Sequence, residues 1–263
     1  MPILDQQNLE ISGHPQTGGM FRNKRFVNRV FNRVGTPPIG LRANLIAYYK
    51  LDEASGDALD ATGNGKTMTQ NGTVGSDTGI ILTGRTMDGS SANRLSRADD
   101  VDFEPGPSPF FATMWVYTTT LVQSSFPGLF AKETEGGQQA WGTFFNDPDN
   151  KVGFLVSPTG AAPFTIVYTA SALSTNAWQF VAFGWDGANI VISLNGGAFQ
   201  TTAFSSSVQS GTSPIYIGFR GGSISSWTGR VDEIAFWKGR ALTIAEVQTI
   251  YNGGAGFAYD NWT

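Results

Sequence analysis

The sequence predicts an all-β fold, a two-sheet antiparallel jelly-roll sandwich with one short C-terminal helix. The 263 residues include 33 Gly, 12 Pro, 19 Phe, 7 Trp and 7 Tyr, a composition typical of short strands, tight turns and cores built from rings. Strand-like apolar runs separated by turn residues recur from residue 45 onward. Cysteine is absent, so burial of apolar surface, without disulfides, must stabilise the fold.

The first 40 residues differ from the rest and are predicted to form a separate arm (residues 1–40) before a single domain (residues 41–263). Met1 to Arg42 holds six basic and two acidic residues, which leaves 11 basic and 19 acidic residues for the remainder. The arm is therefore basic and the body acidic. The length of the body fits one β-sandwich domain.

An amphipathic segment within the arm is predicted to dock onto another protein. Apolar residues at positions 26, 27, 30, 31 and 34 have helical spacing, and Asn and Arg occupy the opposite face. A segment this short is not stable as an isolated helix, so its apolar face needs a partner. The Asn residues on its polar face, and Asp5 and Glu10 upstream, favour a protein partner over nucleic acid or membrane. The predicted docking residues are Phe21, Arg25, Phe26, Val27, Arg29, Val30, Phe31, Arg33 and Val34.

Beyond Pro38, strand candidates follow one another along the chain. They occupy residues 45–51, 79–84, 93–98, 109–120, 126–132, 140–146, 151–157, 164–170, 178–185, 189–194, 213–219 and 228–239. Asp186-Gly187 and Asn195-Gly196 are strong hairpin signals. Residues 243–254 are predicted to form the helix, with Thr243 and Glu246 as a capping box and Gly253 after its end.

Several of these blocks, in this order, resemble the laminin-G-like, concanavalin A-like jelly rolls. The matching blocks include LIAYYKLDEASGDALDATGNGK, MDGS at 87–90, FFATMWV, WQFVAFGWDGANIVISLNGG, PIYIGF and GRVDEIAFWKGRALTIAEVQTIY. The resemblance spans residues 41–251. It implies a jelly-roll sandwich that commonly binds glycans or proteins, often as an exposed part of a larger assembly.

Two loop-rich stretches carry candidate glycan-binding residues, because sugars bind exposed aromatic faces beside polar donors. RGGSISSWTGR contains Arg220, Trp227 and Arg230, and AWGTFFNDPDN contains Trp141 and Asn146. The alternative for each Trp is a place in the core. Trp115, Trp178 and Trp185 match strand positions of the family and are predicted to be core residues.

Calcium is the candidate cofactor, since related jelly rolls often hold it and hard oxygen ligands suit Ca²⁺. Asp60, Asn64 and Asp88 are the candidate donors, and the alternative for each is a turn-forming role. No other cofactor is expected.

No catalytic residue is assigned, and the protein is predicted not to be an enzyme. Glucanases of the same superfamily place several carboxylates on one face of a strand. In RVDEIAFWKG, strict alternation puts Asp232 and Glu233 on opposite faces, which leaves Asp232 alone and favours a structural role. The single histidine, His14, lies in the arm, which disfavours a Ser-His-Asp triad.

A cysteine-free jelly roll with a docking arm and no export signal resembles the accessory proteins of virus particles. Capsid decoration proteins, head fibres and tail-fibre modules of bacteriophages are examples. We therefore expect synthesis in the cytoplasm and display on a virion surface, attached to capsid or tail proteins through the arm, as a homo-oligomer or in a lattice. The displayed domain would bind surface glycans. A free carbohydrate-binding lectin is the main alternative, and a glucanase is the third.

Overall fold

The computed structural model describes residues 40–123, 125–222 and 226–263. The predicted docking residues lie outside these ranges, so the boundary at residue 40 and the amphipathic segment stay predictions. Among the described residues, no helix is long and apolar enough to cross a membrane.

The described chain is built of short strands, as predicted. In chain order they are β1 Leu45–Tyr49, β2 Thr69–Asn71, β3 Gly75–Thr78, β4 Thr83–Asp88, β5 Arg94–Arg97, β6 Phe110–Tyr117, β7 Gly128–Thr134, β8 Gln138–Asn146, β9 Lys151–Val156, β10 Thr165–Tyr168, β11 Gln179–Trp185, β12 Asn189–Leu194, β13 Gln200–Ala203, β14 Ile215–Ile217 and β15 Thr228–Lys238. The helix α1 spans Ile244–Tyr251, and short 3₁₀ helices occupy Val101–Phe103, Asp147–Asp149, Asn252–Gly254 and Tyr259–Asn261.

These strands form two antiparallel sheets, which confirms the predicted jelly-roll sandwich. The eight-stranded sheet has the order β13-β12-β11-β6-β15-β4-β3, and β1 pairs with the second half of β15. The seven-stranded sheet has the order β10-β9-β8-β7-β14-β5-β2. Long-range antiparallel pairing of this kind leaves the connecting loops at the two ends of the sandwich.

The main core lies between the two sheets and is rich in rings. Trp141 of β8 stacks on Phe236 of β15 with ring centroids 5.2 Å apart, and Phe110 of β6 contacts both rings. All three side chains are fully buried. Trp115 and Trp185 are also buried, as predicted, whereas Trp178 is only half-buried.

A second core covers the outer face of the eight-stranded sheet. The helix α1 contributes Val247 and Ile250, and the C-terminal segment contributes Tyr259 and Trp262. Trp262 stacks on Trp237 of β15 at 5.7 Å. The helix begins at the predicted capping box, because Thr243 accepts from the Glu246 N–H and Glu246 accepts from the Thr243 N–H.

One predicted strand is wrong, and the two predicted hairpins are present. Residues 79–84 were expected to form one strand, but residues 79–82 connect β3 to β4, because the Asp232 carboxylate accepts hydrogen bonds from the N–H groups of Ile80 and Ile81. The hairpins at Asp186-Gly187 and Asn195-Gly196 are present. The second has positive φ at both residues, whereas in the first only Gly187 does, and the Asp186 carboxylate accepts from the N–H groups of Ala188 and Asn189.

Candidate functional site

Three aromatic rings cluster on the outer face of the seven-stranded sheet, and two of them are exposed. In β8, Phe145 points into the core, so its neighbour Phe144 points outward, and Tyr168 of β10 points outward for the same reason. Tyr168 and Phe126 approach Phe144 edge-on at 6.1 and 5.7 Å. Phe126 is 41% exposed and Tyr168 is 37% exposed, whereas Phe144 is only 2% exposed. Phe126, Phe144 and Tyr168 are called the aromatic patch.

Backbone features at two positions shape the aromatic patch. Gly153 of β9 lies under Phe144, and a Cβ atom there would come within 2.5 Å of the ring. Only glycine therefore allows Phe144 to lie this close to the sheet. Phe126 has φ of 50°, a conformation that a bulky residue rarely adopts and that often marks a functional position.

A buried ion pair borders the aromatic patch. Arg220 donates from Nε to Oε1 of Glu133 at 2.5 Å, and its guanidinium lies 4.9 Å from the Phe144 ring centroid. Burial raises the pKa of Glu133, while the Arg220 charge opposes that rise. Asn146, which shares the outer face of β8 with Phe144, donates from Nδ2 to Asp149 at 3.0 Å. The aromatic patch therefore joins exposed apolar rings to fixed polar groups, an arrangement that suits an amphipathic ligand.

The structure places two of the candidate glycan-binding residues beside the aromatic patch, and these are Arg220 and Asn146. The expectation of exposed rings is wrong for Trp227 and Trp141, because both are fully buried. Trp227 packs against Phe145 in the core, and Trp141 donates from Nε1 to the carbonyl of Phe103. A β-sandwich core of this thickness needs large side chains, and these two indoles supply them.

Arg230 lies on the other sheet and does not join Arg220. It forms an ion pair with Asp77 at 2.5 Å, and its guanidinium lies 4.7 Å from the Tyr117 ring centroid. Tyr117 in turn contacts Trp178 at 5.6 Å. Arg230 therefore borders a half-buried aromatic pair on the outer face of the eight-stranded sheet.

The calcium candidates all have hydrogen-bonding roles in turns. Asp60 accepts from the N–H groups of Tyr48, Thr62 and Lys66, and the Asn64 amide donates to the carbonyl of Ile46. Asp88 accepts from Ser90 N–H and from Asn93. The part of the chain that the structure describes contains no group of three or more His, Cys, Asp or Glu that could hold a metal ion. These contacts match the turn-forming alternative.

Asp232 and Glu233 share one face, contrary to the expectation from strict alternation. The pairing of β15 with β6 shifts between Asp232 and Ala235, and Glu233 has φ of 49°, which marks a β-bulge. Asp232 pairs with Trp115, and Glu233 accepts a hydrogen bond from the Tyr48 hydroxyl, so both carboxyl groups lie on the outer face of the eight-stranded sheet.

Both carboxyl groups of this pair are buried under Ile80, Ile81 and the C-terminal segment. Burial, followed by the charge of Glu233, raises the pKa of Asp232 to about 9, and burial raises the pKa of Glu233 to about 8. Asp232 is 0% and Glu233 is 5% exposed, so a glycan cannot reach them in this conformation. Their hydrogen bonds hold the β3–β4 turn and Tyr48.

Sequence reasoning missed all three residues of the aromatic patch. One signal was available for Phe144, because alternation in β8 puts Trp141, Thr143 and Phe145 on one face and Phe144 and Asn146 on the other. Trp141 and Asn146 could not therefore both face the same ligand. No sequence pattern identifies Phe126, which precedes β7 in an irregular segment.

The family model of the concanavalin A-like lectin/glucanases superfamily (laminin-G type) matches residues 88–248. None of the curated proteins compared with this chain matches it significantly.

Solved structures share the fold at low sequence identity. Domain 4 of the extracellular arabinanase AbnA from Geobacillus stearothermophilus, in complex with arabinotriose, has a TM-score of 0.60 and 20% identity over 78% of this chain and 97% of that chain. The binding domain of Paraclostridial Mosquitocidal Protein 1 has a TM-score of 0.65 and 14% identity, over 82% of this chain and 53% of that chain.

The ligand-binding domain of botulinum neurotoxin serotype D, in complex with N-acetylneuraminic acid, has a TM-score of 0.63 and 12% identity over 80% of this chain and 51% of that chain. The chain thus spans about half the length of these toxin domains. At such identities the likeness shows a lectin-like fold. The family match covers more than half of the chain, and the protein therefore belongs to the concanavalin A-like lectin/glucanase superfamily.

Proposed function

We propose that this protein is a non-enzymatic carbohydrate-binding module and that the aromatic patch is its glycan-binding surface. One observation carries the proposal: Phe126 and Tyr168 expose their rings and both contact the buried ring of Phe144, and the Arg220–Glu133 ion pair lies beside Phe144. The C–H face of a sugar ring packs on exposed aromatic carbon, and its hydroxyl groups bond to neighbouring polar groups.

Two fold relatives support this proposal by their ligands. The arabinanase domain was solved with arabinotriose and the serotype D domain with N-acetylneuraminic acid. The carboxyl groups of this chain that most resemble a catalytic pair, Asp232 and Glu233, are buried on the opposite sheet. Binding without turnover is therefore the activity proposed for the described domain.

A glycan array followed by titration calorimetry tests the proposal. The full chain is expected to bind at least one class of oligosaccharide, and Tyr168→Ala and Phe126→Ala are each expected to weaken that binding about tenfold or more. Tyr168→Phe keeps the ring and should bind nearly as well as the parent chain. Leu82→Ala is the matched control, because Leu82 is a 76% exposed apolar residue at the turn between β3 and β4 of the other sheet.

Two results would count against the aromatic patch. The absence of binding to every oligosaccharide on the array would contradict glycan binding itself. Equal binding by the parent chain and by Tyr168→Ala and Phe126→Ala would place the site elsewhere. Release of reducing sugar that persists in Tyr168→Ala but disappears in Glu233→Gln would favour the glucanase alternative.

We further propose that the arm attaches this module to a virus particle, where it is displayed on the virion surface through contacts with capsid or tail proteins. The support is the opposite charge of arm and body and the amphipathic spacing of residues 26–34. Deletion of residues 1–40 is expected to leave a domain that binds glycans and no longer joins particles assembled in its presence. Normal incorporation would contradict the anchoring role. A monomeric full chain with a protease-resistant arm would favour the free lectin.

A further inference from the structure

A concave site distinct from the aromatic patch lies where the edges of the two sheets meet. It is a cavity of about 450 Å³ between the segment that follows β10 and the turn that joins β12 to β13. Its polar lining residues are Ser171, Ser174, Gln179, Asn195 and Gln200, and Leu194 adds an apolar wall that packs on the main core. The volume falls within the range of small-molecule sites, about 300–1,000 Å³.

The lining of this cavity contains no ionisable side chain among the ten described residues that form it. An anionic ligand would need a cation or converging N–H groups, and a cationic ligand would need carboxylates. Burying either charge here would be costly. The lining instead carries hydroxyl and amide groups, which both donate and accept hydrogen bonds, as sugar hydroxyls do.

Several of these polar groups are available to a ligand. No hydrogen bond between described residues uses the hydroxyl of Ser171, the hydroxyl of Ser174 or the side-chain amide of Gln200. Gln200 pairs with Ile192 of the core, so its side chain points toward the space between the sheets. Each group can therefore bond to a molecule in the cavity.

The walls of the cavity are held in place by hydrogen bonds. Asn195 accepts from the N–H of Phe180 at 2.8 Å, and Gln179 donates from Nε2 to the carbonyl of Ser174 at 2.9 Å. Asn195 and Gly196 both adopt positive φ, which closes the turn tightly. A preformed site of this kind loses little entropy when it binds a ligand.

The cavity also adjoins the aromatic patch along the chain. Tyr168 belongs to the patch and Ala170 lines the cavity, so one residue separates them. Their Cα atoms are at most about 7 Å apart, since a chain extends by about 3.3–3.6 Å per residue. An oligosaccharide of a few units is long enough to span this distance.

We propose that this cavity is a second subsite, which accepts an uncharged sugar unit of the same glycan that stacks on the aromatic patch. The inference rests on the proposed carbohydrate binding and adds its substrate class: neutral oligosaccharides, in preference to those with a uronic or sialic acid at this subsite. Selectivity arises because a carboxylate in the cavity would lose water and gain only neutral hydroxyl and amide donors, with no cation to offset its charge.

Paired glycans and a charge substitution test this subsite. The probes are array glycans in pairs that differ only by replacement of a hexose with the corresponding hexuronic acid, measured at about 0.15 M salt. The parent chain is expected to bind the neutral member about tenfold more tightly. Gln200→Lys places a cation in the cavity and should reduce that preference by about tenfold. Thr201→Lys is the matched control, since the exposed Thr201 points to the opposite side of β13 and charges are screened within about 8 Å.

The outcomes separate the two proposals. If binding requires Tyr168 and Phe126 but Gln200→Lys and Thr201→Lys both keep the preference of the parent chain, the subsite is wrong and the aromatic patch stands. Equal affinity of the parent chain for neutral and acidic members would also overturn the subsite. If no glycan binds, both proposals fail together. Thermal unfolding of each variant, compared with the parent chain, confirms that it is folded.

Discussion

The outer faces of the two sheets differ in how far other segments of the chain cover them. The eight-stranded sheet hides its outer face under α1 and the C-terminal segment, and it buries two carboxyl groups there, Asp232 and Glu233. The seven-stranded sheet exposes rings at Phe126 and Tyr168 and pairs its buried charge, Glu133, with Arg220. Two rings that contact each other through Phe144 are left in contact with solvent on the seven-stranded sheet.

This difference separates stability from ligand access. The covered face gains free energy from burial and has no route by which a glycan reaches its polar groups. The exposed face forgoes that burial at Phe126 and Tyr168, which keeps both rings accessible to a ligand. Four perturbations test whether the two faces are separate in this way.

Removal of the cover from the eight-stranded sheet should have the largest effect. Trp262→Ala deletes a 3% exposed ring that stacks on Trp237 and contacts Tyr48 edge-on at 4.9 Å. We expect the free energy of unfolding to fall by about 3–5 kcal/mol, the cost of deleting a buried aromatic side chain. Urea unfolding measures it. Unchanged stability would show that the C-terminal segment is not a structural cover, and glycan affinity of the folded variant should be unaffected.

A rise in pH from acid through neutral should destabilise the same face through its buried carboxyl pair. Folding raises the pKa of Asp232 to about 9 and of Glu233 to about 8, whereas unfolded carboxyl groups titrate near pH 4. The folded chain therefore holds more protons between about pH 4 and pH 8. The stability from this pair is full below pH 4 and is lost progressively as pH rises toward the folded pKa values of about 8 and about 9.

Isosteric variants isolate this contribution. Glu233→Gln keeps an acceptor for the Tyr48 hydroxyl, and Asp232→Asn keeps one for the N–H groups of Ile80 and Ile81. Urea unfolding at pH 5, 6.5 and 8 should give a flatter pH dependence in each variant than in the parent chain. If the free energy of unfolding varies with pH in the same way for the variants and the parent chain, both carboxyl groups are ionised in the folded protein.

Breaking the ion pair tests whether the exposed face depends on it. Arg220→Met leaves Glu133 buried without its cation, and we expect a loss of about 2–3 kcal/mol in the free energy of unfolding, because the Arg220 side chain is 15% exposed. Adding Glu133→Gln to Arg220→Met should restore most of that loss. If Arg220→Met is as stable as the parent chain, the ion pair with Arg220 does not stabilise the buried Glu133 carboxylate.

The smallest effect is expected at an ion pair on the surface near the C-terminal segment. Lys50 and Asp260 are 2.7 Å apart, but their side chains are 32% and 73% exposed. Lys50→Ala should change the free energy of unfolding by less than about 0.5 kcal/mol, since solvent and salt screen such a pair. A loss several times larger would mean that this pair, rather than the stacked rings, holds the C-terminal segment.

The sequence predicted the fold because its signals are local. Alternation, Asn195-Gly196 and the Thr243–Glu246 capping box each specify a strand, a turn or a helix end by themselves. The site was harder to predict. A β-bulge at Asp232 and Glu233 places the Glu233 side chain on the same face of the sheet as Asp232, and no residue in RVDEIAFWKG indicates that bulge.

Aromatic residues were also difficult to assign from sequence. Trp227 stands in a Gly- and Ser-rich stretch typical of an exposed loop, yet its ring fills the core beside Phe145. Phe144 lies in a buried-looking strand, yet it faces outward. A ring lies in the core when its side of the strand faces the other sheet, and on the surface when it does not. The sequence identifies that side only if one core residue of the strand is known and the in-and-out alternation is counted from it.

The measurement that tests the central claim most directly is amide chemical-shift mapping of the full chain with the oligosaccharide that binds best on the array. The aromatic patch predicts the largest shifts at Phe126, Phe144, Tyr168 and Arg220, with no comparable shifts at Tyr117, Trp178 and Arg230. Shifts concentrated at Tyr117, Trp178 and Arg230 would place the glycan on the eight-stranded sheet and contradict the account.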